Sequence, residues 1–532
     1  MKEEELEIEI LKKYIYHYDV VWPKPEIETS EVSLVPIEKT DPLVRVARNA
    51  TALFLSDIVS KGALFLWQLI LARWLGAAGY GIYGTIGALM VIGASIVEFG
   101  MGLIVVREVA RRPRDAPRFL AATLTVQPIL AVATYGALQL AAWRLDFDSE
   151  LRALLSLAAL ALLINALGNI CHNQLIAAER MDLPAAISVV HVLSLVGLAA
   201  AALWMGGGLW GLYLATLAAG LIRSALYWLA LLSTGRASIG SLDRTTVLEL
   251  FQNGLPLALM SFLTLCSLQV DKVLATTLIG TQTAGYLTAA FVISFGVMEL
   301  LNTTVLVALL PTMSRFAEES EEVLYRMIGK LTLLTMTLAL PIAVLISMLA
   351  TPLCTWLFGD RFWPTADALR ILIWYTSLAM VSNIFSQGLV VQNRQKRLTA
   401  FRTAGLVLAV TLNLVLLPRL GVTGAALAAL ISEAFVFVLM VGSFRLSADW
   451  WRPVETRSFR LAVAAFGLAA VTWWLRTRHP LMAGLAGIPV YVGLVYLTGT
   501  IGAEEKDLIQ RLLSSMLPGR MAFGFNRGQE DK

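Results

Sequence analysis

Asp57 and Lys61 stand four residues apart in an apolar stretch, and on a helix that spacing sets a carboxylate and an ammonium on one face, about 6 Å apart along the axis. Asp271 and Lys272 are adjacent, so on a helix they point about 100° apart and cannot both be absorbed by one mutual contact. Glu98, Arg223, Glu299 and Glu433 are further charges set among apolar neighbours, and His191 joins them. At the centre of a bilayer such a charge costs at least about 2.5–3.5 kcal/mol, so each must face protein or a water-filled cavity. A cation so placed can hold an anionic group, and a carboxylate can take up and release a proton or a sodium ion. Each also has a structural reading. Asp57 and Lys61 can neutralise one another, Glu98 can be held by Arg107 or a neighbouring helix, and Arg223 needs either an acid on another helix or an anionic ligand. For Glu433 and His191 the structural reading leads.

The elements that must position these groups are membrane helices. The chain has 532 residues, 57% of them hydrophobic and only 15% charged, with a mean hydropathy of +0.71. Soluble domains carry about 25% charged residues. A span needs about 20 apolar residues, and the pattern predicts fourteen: 48–75, 80–106, 117–143, 151–175, 184–205, 208–232, 248–278, 284–311, 328–351, 365–392, 399–417, 422–446, 458–475 and 481–500. Amides recur at Asn165, Asn169 and Asn173 with His172, on one face of the fourth span, where cross-helix hydrogen bonding is their expected role. Pro256, just after Gly254, is the candidate hinge of the seventh span.

The first residues, MKEEELEIEILKK, lack the basic start and apolar core of a cleaved signal. Residues 1–47 read as a cytoplasmic tail. Lys and Arg concentrate in alternate loops, as in Arg107–Arg118 and Arg394–Arg402, which predicts that both termini lie in the cytoplasm. The net charge of +4 is then a topology signal, and nothing suggests a nucleic-acid surface. Cys171, Cys266 and Cys354 have no metal-ligand spacing.

The segment from Leu71 to Arg111 recurs in degenerate form from Leu274 to Arg315. Each copy ends one helix at a small-residue turn and opens the next with Gly-Tyr, at Gly79-Tyr80 and again at Gly285-Tyr286, 206 residues later. So long a period points to two duplicated multi-helix halves, a usual build of secondary transporters.

The runs LARWLGAAGYGIYG and EFGMGLIVVREVAR, with SLQVDKVLATTLIGTQTAGYLTAA opening the second half, resemble the polysaccharide transporter family of lipid-linked oligosaccharide flippases. That family belongs to the multidrug/oligosaccharidyl-lipid/polysaccharide exporter superfamily. The resemblance covers roughly residues 45–500. It implies an all-α polytopic membrane protein of about fourteen transmembrane helices, with two pseudo-symmetric six-helix lobes plus two C-terminal helices. The expected divisions are a tail (1–47), an N-lobe (48–232), an inter-lobe linker (233–247), a C-lobe (248–446), two further spans (447–500) and a cytoplasmic C-terminal tail (501–532).

The resemblance further implies a plasma-membrane flippase that moves polyprenyl-(pyro)phosphate-linked oligosaccharide from the cytoplasmic to the outer leaflet by alternating access, with an ion gradient as the energy source. Its partners would be the lipid-linked glycan, membrane lipid, H⁺ or Na⁺, and glycan-assembly enzymes. Lys61, Arg223 and Lys272 become the candidate substrate cations, and Asp57, Glu98, Asp271 and Glu299 the candidate coupling carboxylates. No catalytic residue, metal site or cofactor is expected, and no P-loop is present. A drug or cation antiporter, or a lipid II-type flippase, of the same superfamily is the alternative. A glycan polymerase or ligase is disfavoured, because the predicted outer loops are about fifteen residues or shorter and the chain holds four histidines.

Overall fold

The computed structural model describes residues 42–235, 237–299, 320–444, 448–476 and 480–499, with the backbone alone for 42–58, 448–453 and 480–481. Residues 1–41 of the predicted N-terminal tail (1–47), the predicted C-terminal tail at 501–532, the Asp57 side chain and the end of the second repeat at Arg315 lie outside this set, while 42–47 is already helical. The chain divides into Met1–Arg48 and a compact unit from Asn49 to Lys532, and the helix bundles belong to the larger unit.

The described residues form helices. The first six are α1 (Pro42–Glu98), α2 (Met101–Arg111), α3 (Ala116–Arg144), α4 (Ser149–Ala177), α5 (Asp182–Trp204) and α6 (Gly208–Ser233). Then come α7 (Arg244–Leu278), α8 (residues 281–299), α9 (Glu321–Phe358), α10 (Thr365–Val391), α11 (Gln395–Leu420) and α12 (Val422–Ser443). The chain continues with α13 (Ala448–Leu475) and α14 (Pro480–Leu497).

Eleven helices among the described residues are long and apolar enough to cross a membrane, against fourteen predicted spans. The first two spans are continuous here as α1 and α2, the eighth is described only to residue 299, and the last is the shorter apolar helix Met482–Leu497. The sequence boundary near residue 76 is nonetheless real. Within α1, Gly76 sits at φ 65°, ψ 178°, a conformation that L side chains rarely adopt, and the chain turns there into a second arm. A further break falls at Phe99 (φ 49°) and Gly100 (φ 67°), where the predicted second span was continuous.

Helix starts follow local chemistry. Asp148 caps α4 by accepting the Leu151 amide at 2.7 Å, and Ser320 caps α9 by accepting that of Val323 at 3.2 Å. Asp243 caps α7, and hydrogen bonds from the Thr245 hydroxyl and then the Thr245 amide hold its carboxyl below the usual range.

Packing sorts the helices into two bundles and an appended pair. α3, α5 and α6 each pack with α4, α5 packs along α6, and α2 joins α4. On the other side α9–α10, α10–α12, α11–α12 and α7–α11 are the main contacts, while α13 and α14 pair and rest on α9. Large apolar side chains such as Leu66, Ile70, Val132, Leu193, Phe466 and Leu485 remain exposed, which suits a surface wetted by lipid chains in place of water.

The bundles meet closely where the repeat motifs cross. A Cβ on Gly81 would overlap the Thr281 carbonyl, and one on Gly285 would overlap that of Ala77, so the second arm of α1 and α8 touch backbone to backbone. Beside them the Thr85 and Thr276 hydroxyls are hydrogen bonded. Gly81→Val is therefore expected to lower the melting temperature of the detergent-solubilised protein, by the equivalent of about 1–3 kcal/mol of overpacking. Gly87→Ala, where a Cβ would meet nothing within 4 Å, should leave it unchanged or raise it. Equal melting temperatures for Gly81→Val and the unchanged protein would refute the close crossing.

Candidate functional site

The charged groups singled out in the sequence fall into several separate places. Lys61, on the first arm of α1, forms an ion pair with Glu299 of α8. Both side chains are about half exposed, at 45% and 48%. Lys61 lies about 22 Å along the helix from the Gly76 turn, and Glu299 about 27 Å from the start of α8, so the pair sits at matched depth. Nearby, the Phe65 ring lies 3.0 Å from where a Gly296 Cβ would stand. Glu299 has no cation close to it in sequence, and its described partner comes from the other half of the chain.

Asp271 and Lys272 diverge as the helical spacing requires. Asp271 is 2% exposed and accepts a hydrogen bond of 2.6 Å from Asn413 Nδ2 on α11. Lys272 is 8% exposed, donates to Gln269 Oε1 at 2.7 Å, and lies 5.2 Å and 5.6 Å from the ring centroids of Phe291 and Phe295 on α8. An ammonium over two aromatic faces is attracted by their quadrupoles. In the first half the repeat-related polar residue, Gln68, also meets aromatic residues of the next segment, accepting from Tyr80 Oη at 2.9 Å and donating to Tyr83 Oη at 3.1 Å. Both halves thus set a polar group of the first span against rings of the second.

Arg223, on α6, donates from Nη2 to Asn165 Oδ1 at 3.0 Å and to Asn169 Oδ1 at 3.4 Å. The amide stripe predicted as helix-to-helix glue does bridge helices, and its partner is the guanidinium. Glu98 is not held by Arg107, which pairs with Glu108 at 2.9 Å. Arg112 also binds Glu108, at 2.8 Å, and reaches Glu249 of α7 at 3.1 Å. This arginine network ties α2 to α7 at the end of the bundle opposite the Gly76 turn. Just inside it, a Cβ on Gly254 would lie 2.7 Å from the Phe99 carbonyl, so the break between α1 and α2 seats against α7 two residues before Pro256.

At the Gly76 end, the tyrosines of the two repeat motifs share one partner. Phe362, in the turn before α10, meets Tyr80 edge-on at 6.2 Å and Tyr286 at 6.0 Å between ring centroids. Phe362 and Tyr80 are buried. The two bundles are therefore in contact at both ends, with the Lys61–Glu299 pair between.

Three participants were missed in the sequence. Asn413 lies alone in the apolar run LAVTLNLVLL and could have been found by treating amides in spans like charges. Arg402 reads as a loop residue, yet lies within α11 and pairs with Glu433 at 2.9 Å, with the two side chains 18% and 8% exposed. Phe362 gives no polar signal at all. Among the described residues no group of three or more His, Cys, Asp or Glu is placed to hold a metal ion.

Eleven helices of this length and apolarity among the described residues, with ion pairs and amides between them, define a multi-pass membrane protein. The chain belongs to the polysaccharide biosynthesis protein family, which it matches over residues 70–367. No curated protein matches it by sequence. Among solved structures it is similar to the lipid II flippase MurJ in an inward closed conformation, with a TM-score of 0.68 at 13% identity over 86% of this chain and 99% of that one. It is also similar to an inward-facing multidrug resistance MATE family transporter of the MOP superfamily, with a TM-score of 0.60 at 16% identity over 73% of this chain and 94% of that one. These likenesses establish the fold.

Asn413→Leu removes the donor from a buried carboxylate and keeps the side-chain volume. It should lower unfolding stability by about 1–3 kcal/mol, read as a fall in melting temperature in detergent, and Asp271→Asn in the same chain should recover part of the loss. Additive effects of the two substitutions would show that the contact contributes nothing.

Proposed function

We propose that this protein is a flippase that carries polyprenyl-(pyro)phosphate-linked oligosaccharide from the cytoplasmic to the outer leaflet of the plasma membrane for surface polysaccharide or glycan assembly. The observation that carries the reading is the family match across 70–367, a span that includes the junction of the two halves and its buried ionic groups. The lobes of this reading are residues 48–232 and 248–446, joined by 233–247, with 447–500 as an added pair of spans and 1–47 and 501–532 as tails. Exposed tryptophans support the orientation. Trp74, Trp143, Trp204, Trp356 and Trp473 all fall at helix ends on the Gly76 side of the bundle, where they would anchor in the outer interface. The arginine-rich turns lie at the other end, facing the cytoplasm.

In this mechanism the two bundles rock about the Lys61–Glu299 level. The contacts of Gly81 with α8 and of Phe362 with the paired tyrosines close the outer end, and those of Phe99 and Arg112 with α7 close the inner end. Lys272, released from its aromatic seat, and Lys61 meet the phosphate groups, and the lipid tail remains in the bilayer between the bundles. Asp271, with Asn413 beside it, and Glu299 exchange the coupling ion, with Asp57 and Glu98 as the remaining candidate carboxylates.

Deleting the protein in its host is expected to make lipid-linked glycan accumulate on the cytoplasmic face and to reduce surface polysaccharide. Normal surface polysaccharide without accumulation would remove this reading, and loss of drug export alone would favour the antiporter. Lys272→Ala should reduce surface display at unchanged protein level, and unchanged display would return Lys272 to a structural role. Lys61→Glu and Glu299→Lys should each impair display, while the double reversal restores part of it, since an exposed pair itself contributes only up to about 1 kcal/mol to stability.

A further inference from the structure

A cavity of about 190 Å³ lies within the first bundle, between the second arm of α1, α3 and α4. It would hold roughly six water molecules at about 30 Å³ each, and it is smaller than the roughly 300–1,000 Å³ of pockets that take drug-sized ligands. Its walls are largely apolar, with Met90, Val91 and Leu162 among them, and its polar groups are Glu98, Gln127, Asn165 and Asn169. Gln127 is 2% exposed, yet its Oε1 has no hydrogen-bond partner among the described residues. A buried amide oxygen left without a donor costs about 1–3 kcal/mol, so it calls for a ligand that donates.

The polarity of the other groups is fixed by what lies behind them. Asn165 and Asn169 spend their Oδ1 atoms on Arg223, which leaves their Nδ2 groups as donors. Glu98 forms no ion pair among the described residues and supplies acceptors. The cavity thus offers donors on one side and acceptors on the other. A phosphate, which only accepts, would face Glu98 and Gln127 Oε1 unfavourably. A small organic cation would lie beside asparagine donors backed by a guanidinium. A sugar ring matches both sides, because each hydroxyl donates and accepts, and its C–H face suits the apolar wall.

We propose that this cavity is a saccharide subsite that takes one hydroxyl-bearing ring of the transported glycan, with Asn165 and Asn169 donating to it and Gln127 and Glu98 accepting from it. Arg223 is a positioning residue, which orients the two amides and does not touch the sugar. The inference rests on the flippase reading for the origin of the ring. The phosphate-binding role expected for Arg223 from the sequence then falls to Lys61 and Lys272.

The test uses the full-length chain in lipid nanodiscs and saturation-transfer NMR. The probes are methyl glucopyranoside and N-acetylglucosamine, with inorganic pyrophosphate and tetramethylammonium as rivals. Ala94→Phe and Val91→Phe fill the cavity from wall positions without touching a polar group, and Gln127→Leu removes the orphaned acceptor. Transfer to a sugar in the unchanged protein, weakened about tenfold in whichever of these variants keep the original melting temperature, supports the subsite. Arg223→Met should change which ring protons receive saturation.

Transfer to neither sugar overturns the proposal, as does transfer unaffected by any folded variant. So does binding of pyrophosphate or tetramethylammonium that the variants abolish in place of sugar binding. Variants that lose sugar binding yet fully restore surface polysaccharide in a deletion host would mark a site for free sugar and would equally overturn it. Failure of the flippase reading appears separately, as sugar binding in the purified protein together with normal surface polysaccharide in the deletion host.

Discussion

Hydrocarbon offers no hydrogen bonds, and that constraint sets where every polar group of this chain can go. Each charge the helices carry at depth must face protein or a water-filled cavity, and four of them meet a partner on another helix. Asp271 finds Asn413, Glu433 finds Arg402, Arg223 finds two asparagines and Lys61 finds Glu299. All four contacts join different helices, so the polar groups act as ties that fix which helices lie side by side, while the apolar surfaces face outward as readily as inward. The bundles are thereby held as bodies, and the contacts between them are few and localised.

That distribution matters for motion. Within a bundle, a tie such as Asp271–Asn413 is buried, and breaking it leaves a charge in a low-dielectric setting. Between bundles, the Lys61–Glu299 and Arg112–Glu249 pairs are partly exposed, and exposed pairs contribute little and exchange readily with water. The close crossing at Gly81 and Gly285 rests on shape, with no side chain at either position to interlock. Rocking two stiff bundles about such contacts costs less than deforming either one. The proposed alternating access would use that difference, in a chain with no nucleotide-binding loop.

The fold was largely legible in the sequence, because membrane spans announce themselves through length and hydropathy and the repeat announces itself through the Gly-Tyr turns. Helix ends from α3 to α7 lie within a few residues of prediction for that reason. The break at Phe99–Gly100 was not legible. Its neighbourhood is as apolar as any span, and the left-handed residues form where the chain packs on α7, a contact distant in sequence. The site was read less completely. Charges stood out by their cost in lipid, whereas which charge meets which depends on helix rotation and neighbour choice, and neither is encoded in local periodicity. Lys61 shares a helix face with Asp57, yet its described partner is Glu299, 238 residues away.

The amide stripe shows how a structural and a ligand-binding reading can both hold. Asn165 and Asn169 tie α4 to α6 through Arg223, which is the structural role expected of amides in membrane helices. A carboxamide has two ends, however, and committing the oxygen to a guanidinium fixes the direction of the nitrogen. The same bond that joins the helices therefore gives the cavity its donors. Were the partner of the stripe a carboxylate, the amides would turn over and present oxygens, and the cavity beside Glu98 and Gln127 would then favour a cation. The charge on α6 thus sets the chemistry of a cavity that its own side chain does not line.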